Sequence, residues 1–559
     1  MNMTAALDKS YAQGATDIPL IEQTIGDFFD EMAAKQPDRE ALVSRHEGRR
    51  FTYRELQAES NKLASALLKL GLAPGDRVGI WSHNNAPWVL MQIATAKAGL
   101  ILVNINPAYR TSELEYALNK VGCKALVTMA KFKTSDYLGM LRELGPKRLP
   151  QLLHTFWIDK PGESGEQPGM QRFSQLLASG DAADPRVAAT QKTLTATDPI
   201  NIQFTSGTTG FPKGATLTHR NILNNGFFIG ECMKLTPADR LCIPVPLYHC
   251  FGMVLGNLAC LTHGSAIVYP NDGFDPLTVL ETVQAEKCTG LHGVPTMFIA
   301  ELDHPRFKEF DLSTLRTGIM AGSPCPTEVM KRVVNEMHLG EITIAYGMTE
   351  TSPVSCQSST DTPLDKRVST VGTVQPHLEI KIIDPETGAI VPRGSSGEFC
   401  TRGYSVMHGY WEDEPRTREA IDAEHWMHTG DLATMDAEGY VNIVGRIKDL
   451  VIRGGENIYP REIEEFLYRH PKVQDVQVVG LPDKKYGEEL CAWIIVKPGQ
   501  AATEDEIRDF CKGQIAHYKV PRYIRFVTEF PMTVTGKIQK FKIREAMAEQ
   551  LGLQQEKTA

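Results

Sequence analysis

From Thr24 to Tyr346 the chain alternates between short apolar runs and amphipathic helical patterns, and that alternation confines it to layered, parallel α/β architectures. Thr24-x-x-Asp27 opens a helical pattern with Ile25, Phe28, Phe29 and Met32 on one face, stopped by Pro37. Thr52-x-x-Glu55 is a capping box for a helix carrying Leu56, Leu63, Leu67 and Leu70, with Gly71 at its C-terminal cap. A β-rich run over 77–81, a helical pattern over 87–97 and an apolar run over 101–105 follow. Similar units recur from Leu291 to Tyr346, each strand-like run ending in a Gly- or Pro-rich turn, where such folds bind their ligands.

The pattern changes at Leu378. Leu378, Glu379, Ile380, Lys381 and Ile382 alternate apolar with polar, and glycine and proline are frequent up to Gly409, which reads as an antiparallel or barrel-like β subdomain. From Asp449 a strand turn, a helix between Pro460 and Pro471, strands over 476–479 and 490–496, and a helix capped by Thr503-x-x-Glu506 make an α+β unit of a size that can fold alone. The expected fold class is α/β: a large N-terminal domain of layered α/β subdomains plus the barrel-like β subdomain, then a small α+β C-terminal domain.

With 559 residues there is ample material for more than one core. Lys plus Arg is 59 and Asp plus Glu 68, a net charge of −9 that does not favour a nucleic-acid binder. The 11 cysteines are scattered and form no Cys-x-x-Cys pair, which points to reduced thiols in a cytoplasmic compartment rather than to a disulfide framework or zinc site. No secretory pattern is read over 1–18, and the most apolar stretch, 89–105, is interrupted by Lys97 and Asn104 and is too short to span a bilayer. Peripheral membrane contact and a homodimer are left open.

The densest chemical signal is Thr205-Ser206-Gly207-Thr208-Thr209-Gly210-Phe211-Pro212-Lys213-Gly214. Glycines allow close backbone approach to an anion, hydroxyls donate, and Lys213 adds a mobile charge, so phosphate is the natural ligand. Pro212 stands where a Walker motif needs glycine, and composition alone also allows a plain polar loop. Tyr346-Gly347-Met348-Thr349-Glu350, Thr429-Gly430-Asp431, Gly445-Arg446-Ile447-Lys448-Asp449, Arg453-Gly454-Gly455-Glu456-Asn457 and Pro531-Met532-Thr533-Val534-Thr535-Gly536-Lys537-Ile538 follow in order. Together these segments resemble the adenylate-forming superfamily of acyl-CoA synthetases, aryl-CoA ligases, luciferases and peptide-synthetase adenylation domains, and within it the medium-chain fatty acyl-CoA synthetases most.

The resemblance implies an adenylation domain over 1–446 and a mobile C-terminal domain over 447–559, hinged at Lys448. It implies ATP, Mg2+ and coenzyme A as cofactors and a small carboxylic acid as substrate. Thr205, Ser206, Gly207, Thr208, Thr209, Gly210 and Lys213 would hold the β- and γ-phosphates. Thr349 would donate to the α-phosphate and Glu350 would ligate magnesium, a hard cation that prefers oxygen. Adenine would lie between Tyr346, with Gly347, and the backbone of Gly322, Ser323 and Pro324, while Asp431 and Arg446 would bind the ribose hydroxyls. Lys537 would bridge the carboxylate and α-phosphate, and the loop with Gly454 and Gly455 would border the pantetheine channel. Taken alone, Glu350 reads as a solvated or capping carboxylate, Tyr346 as a buried aromatic, Asp431 as a turn residue and Lys537 as a surface lysine.

No Asp or Glu occurs from Leu241 to Asn271, which disfavours amino-acid substrates. Pro246, Leu247, Tyr248, His249, Phe251, Met253, Val294, Pro295, Met297 and Met320 are expected to form an apolar acyl wall with adaptable methionines, His249 lining or gating it. Fatty acid:CoA ligation is the leading reading. Acylation of a carrier protein, aryl-CoA ligation, a luciferase-like oxygenation and a non-enzymatic nucleotide or acyl binder are the rivals.

Overall fold

The Thr24 hydroxyl accepts the Asp27 N–H at the start of the helix Ile25–Lys35, and Thr52 with Glu55 forms a reciprocal capping box on the helix Tyr53–Lys69. That second helix ends at Leu70, and Gly71 takes the left-handed conformation just beyond it, with φ +84°. The computed structural model describes residues 8–160, 163, 165–205, 212–453, 456–512, 514–533 and 538–553, with only the backbone of Asn457.

Two large sheets carry the N-terminal part. The first has eight strands in the order 171–172, 154–158, 125–129, 77–81, 101–104, 199–205, 213–218 and 409–410. Its members from Gln171–Arg172 to Pro199–Thr205 run parallel, and Lys213–Thr218 and Gly409–Tyr410 close it antiparallel. The second has nine strands, with a parallel centre formed by Glu40–Ser44, Ala266–Tyr269, Arg240–Cys242, Gly290–Gly293, Thr317–Met320 and Glu341–Gly347.

The largest core joins residues of both sheets, such as Val78, Leu102, Leu241 and Ile267, to the helices packed with them. Every residue of the helix Ala86–Ala98 is buried, which explains why apolar residues surround it instead of forming a stripe. Phe251–Leu258 is a π-helix, a rare form often found near functional sites. The Gln92 amide donates to the Met253 carbonyl at 3.1 Å and accepts from Asn257 at 2.9 Å.

The alternating region forms a five-stranded antiparallel sheet. Its strands are Tyr11–Gln13, Leu378–Ile383, Gly397–Gly403, Met427–Met435 and Val441–Arg446. The first of these is too short to carry a period and was not expected from sequence. Beyond it lies a separate five-stranded sheet confined to residues 451–526, with helices Pro460–Leu467 and Glu504–Cys511, the latter capped by Thr503. All cysteines are free, and among the described residues no helix is long and apolar enough to cross a membrane.

One buried charge ties the core helices together. The Lys97 side chain is fully buried and pairs with Asp30, which also accepts from Gln57 at 2.6 Å and Gln191 at 3.1 Å. Burial pushes the Lys97 ammonium pKa down, and Asp30 pulls it back up. Asp30→Ala strands that cation, so it should cost about 3 to 5 kcal/mol in urea unfolding, much of it recovered by adding Lys97→Met. Equal stability of wild type and Asp30→Ala would remove this role.

Candidate active site

The loops after the parallel strands of the nine-stranded sheet meet the end of Pro199–Thr205, and two groups of side chains form there. The strand Glu341–Gly347 runs into a short turn at Thr349–Thr351, so Tyr346 and Glu350 stand at either end of one segment. Only glycine fits between them at 347, since a Cβ there would lie 1.7 Å from the Pro353 carbonyl oxygen.

The first group centres on Glu350, a carboxylate only 5% exposed. Its Oε1 accepts the hydroxyls of Thr205 at 3.0 Å and Tyr410 at 2.9 Å. Burial, and then the facing Glu350 charge, push the Tyr410 phenol pKa well up, so it stays a donor. Lys213 lies over the Tyr410 ring, 4.3 Å from its centre. Thr349 adjoins Glu350, and its hydroxyl has no hydrogen-bond partner among the described residues.

The second group is Tyr346, Asp431 and Arg446. The Tyr346 hydroxyl donates to Asp431 Oδ2 at 2.7 Å and Arg446 Nε donates to Oδ1 at 3.1 Å. Asp431 and Arg446 face each other on paired strands, and Phe399 packs edge-on against Tyr346 at 5.1 Å. Lys448 belongs to the same neighbourhood: burial first, then Arg446 and, more weakly, Lys213, depress its ammonium pKa, with Asp449 and Asp431 opposing.

Asp431 reaches this position through a bulge. Cys400 pairs with His428 and Glu398 with Leu432, so Thr429, Gly430 and Asp431 together oppose Phe399 alone. Thr429 Oγ1 donates to the Phe399 carbonyl at 2.7 Å, and the Gly430 N–H donates to Glu398 at 3.1 Å. Gly430 has φ +69°, a left-handed turn that suits glycine.

Several residues expected to form an acyl wall pack together. Phe251, Met253 and Val294 are buried in one core, and a Cβ on Gly322 would sit 3.1 Å from Val294 and 4.0 Å from Phe251. That contact brings the Gly322, Ser323 and Pro324 backbone to the same place. His249 heads the π-helix, its Nδ1 accepting the Phe251 N–H at 3.3 Å. Met320 is not in this wall: on Thr317–Met320 side chains alternate, Ile319 packing in that core and Met320 in the core on the other face. Met253 is held rather than adaptable, its sulfur accepting from the Asn104 and Gln203 amides at 3.2 Å each.

His292, packed 5.4 Å from Phe251, is structural. Its Nε2 donates to the Leu255 carbonyl and its Nδ1 accepts the Ile319 N–H, and burial pushes its pKa down to about 4. Ser206, Gly207, Thr208, Thr209, Gly210, Gly454, Gly455 and Lys537 lie outside the described residues.

Sequence reasoning missed Tyr410 and Glu398. The Gly409–Tyr410 strand pairs with Ala215 and Thr216, and no local signal reports that pairing. Magnesium fits the first group: Glu350 forms no ion pair among the described residues, and its second oxygen carries no described hydrogen bond. Tyr410→Phe deletes one of the two donors to this buried carboxylate among the described residues and should weaken MgATP binding about tenfold. Unchanged calorimetric affinity would count against this arrangement.

The AMP-binding enzyme family matches residues 29–411, and the AMP-binding enzyme C-terminal domain matches residues 462–537. YngI of Bacillus subtilis is 49% identical, covering 96% of this chain and 99% of its own. The mitochondrial medium-chain acyl-CoA ligase of Bos taurus is 47% identical, covering 97% of this chain and 91% of its own. The crystal structure of the anthranilate CoA ligase AuaEII with anthranoyl-AMP superposes with a TM-score of 0.86 at 28% identity, covering 96% of this chain and 99% of that one.

Proposed function

The chain belongs to the AMP-binding enzyme family, and from that membership and the site we infer an AMP-forming fatty acid:CoA ligase. A carboxylate oxygen of the acid attacks the α-phosphorus of ATP, pyrophosphate leaves, and an acyl-adenylate forms. The CoA thiol then attacks the acyl carbon, and AMP leaves as the thioester forms. The substrate is its own nucleophile, so no Ser or Cys nucleophile is needed.

One observation carries this reading: the Glu350 and Asp431 groups sit at the two ends of the Tyr346–Glu350 segment, with the Thr349 hydroxyl, which has no partner among the described residues, between them. Hydroxyl acceptors at Asp431 suit a ribose. Lys213 and Thr349 suit phosphate oxygens, and donors of this kind stabilise charge that grows during phosphoryl transfer, while Thr205 donates its one hydroxyl proton to Glu350. Glu350 Oε2 would hold magnesium, which when bound neutralises phosphate charge. The wall of Phe251, Met253 and Val294 offers only apolar contact, which supports an aliphatic acyl group of medium length, the class named for the bovine relative. Anthranilate activation by AuaEII makes a flat aryl acid the second reading. The free thiols support a cytoplasmic location.

Within this reading residues 1–446 adenylate and 447–559 rotate about Lys448. Lys537 bridges the carboxylate and the α-phosphate in the first step and withdraws for the thiol in the second. Pyrophosphate exchange that depends on added acid, scored from acetate to palmitate with branched and aryl acids, tests the function. No exchange with any acid would end it. Lys537→Ala should slow adenylation by at least about 10²-fold and spare thioester formation from supplied acyl-adenylate. Equal losses in both half-reactions would remove the bridging role. Lys448→Pro fixes φ and should keep pyrophosphate exchange while acyl-CoA formation falls. Normal acyl-CoA turnover in this variant would argue against the hinge.

A further inference from the structure

Behind Asp431 lies a cluster that the ligase reading does not use. Glu398, Cys400 and His428 place a carboxylate oxygen, a sulfur and a ring nitrogen within 4.8 Å of one another. These are metal-ligand types, but the hydrogen bonds favour another assignment. His428 Nδ1 faces Glu398 Oε2 at 3.1 Å, with Cys400 Sγ at 3.6 Å, and its Nε2 faces Asp422 Oδ2 at 3.4 Å. A carboxylate only accepts, so each ring nitrogen must donate, and only the imidazolium donates from both. Hydrogen bonding to Cys400 and then to Glu398 raises its pKa to about 10.

The charges around it are accounted for. Lys381 and Arg402 stack on Trp426, at 4.3 and 4.5 Å, and Arg402 pairs with Glu379, so neither is the partner of Glu398 in the described residues. Asp422 is itself fixed, its Oδ1 accepting the N–H groups of Glu424 and Trp426. The imidazolium therefore anchors Glu398 from a hydrogen-bonded turn, and the other oxygen of Glu398 holds the Gly430 N–H inside the bulge.

We propose that His428 is a positioning residue for the nucleotide: as a cation between Asp422 and Glu398 it fixes the Thr429–Asp431 bulge, and so the carboxylate that receives the ribose hydroxyls. The role rests on the ribose assignment of Asp431. His428 touches no substrate. Its removal changes where Asp431 points, so it acts on nucleotide binding more than on turnover at saturation.

The test measures AMP and 2′,3′-dideoxy-AMP affinity by calorimetry on the full chain, with KM and kcat for ATP, in wild type, His428→Gln and His428→Lys. His428→Gln should weaken AMP binding and raise the ATP KM about tenfold, the scale of one charge-assisted hydrogen bond, with kcat and the acid KM little changed. His428→Lys should restore most of the affinity. The His428→Gln deficit should vanish with the dideoxy nucleotide, which has no hydroxyls to receive. A deficit that persists with it, a Lys variant as weak as the Gln variant, or a Gln variant that binds AMP like wild type overturns the proposal. Wild type that does not distinguish the two nucleotides instead refutes the ribose assignment. Zinc binding by wild type that Cys400→Ser abolishes also overturns the proposal, because a metal-bound Nδ1 cannot donate to Glu398.

Discussion

Burying a carboxylate without a cation is costly, and Glu350 is buried that way among the described residues. Two hydroxyl donors, from Thr205 and Tyr410, make the position tolerable, and they come from segments far apart in sequence. Meeting that requirement forces three structures together: the end of the strand Pro199–Thr205, the turn after Glu341–Gly347, and the short strand Gly409–Tyr410. Much of the local topology can be understood as the means of bringing these donors to one oxygen. The remaining oxygen is then suited to a hard cation accompanied by phosphate.

The group around Asp431 follows a different principle. Asp431 is not buried and unpaired but neutralised and aimed, by Arg446 across the ladder and by the Tyr346 hydroxyl from the neighbouring sheet. A regular strand would turn alternate side chains toward and away from the site. The bulge over Thr429–Asp431 breaks that alternation, and its unpaired N–H is taken up by Glu398. The cost of a broken ladder is met by side chains, and the gain is a carboxylate at a chosen angle.

Helix starts were legible because capping is local: Thr24, Thr52 and Thr503 act on residues three positions away. That Thr205 would meet Glu350, and Tyr346 would meet Asp431 and Arg446, was suggested by short motifs whose resemblance to a family is specific. Tyr410 was not, since its role depends on pairing with a strand far away in sequence. Met320 illustrates a second limit: period-two alternation separates Ile319 from Met320 but does not say which of them faces the acyl wall. The π-helix is a third, because its Met253 carbonyl accepts from Gln92 of another helix, a contact no local pattern reports.

Under the ligase reading, the acyl wall and the phosphate end are linked by one strand face. In Pro199–Thr205, residues 201, 203 and 205 point the same way. Asn201 accepts from the Gln203 amide, Gln203 also donates to Met253 Sδ, and Thr205 donates to Glu350. Methionine normally yields to the shape of what it touches. Two amide donors and complete burial remove that freedom from Met253, so the wall at this point has a set depth, referenced to the strand that positions Glu350. Under the ligase reading, the distance from acyl tail to carboxylate is then measured along a rigid element rather than across a loop. A fold that must bring a carboxylate against a phosphorus atom gains more from that fixed distance than from an accommodating pocket, because misplacement at the reacting atoms is costlier than a poorly filled tail site.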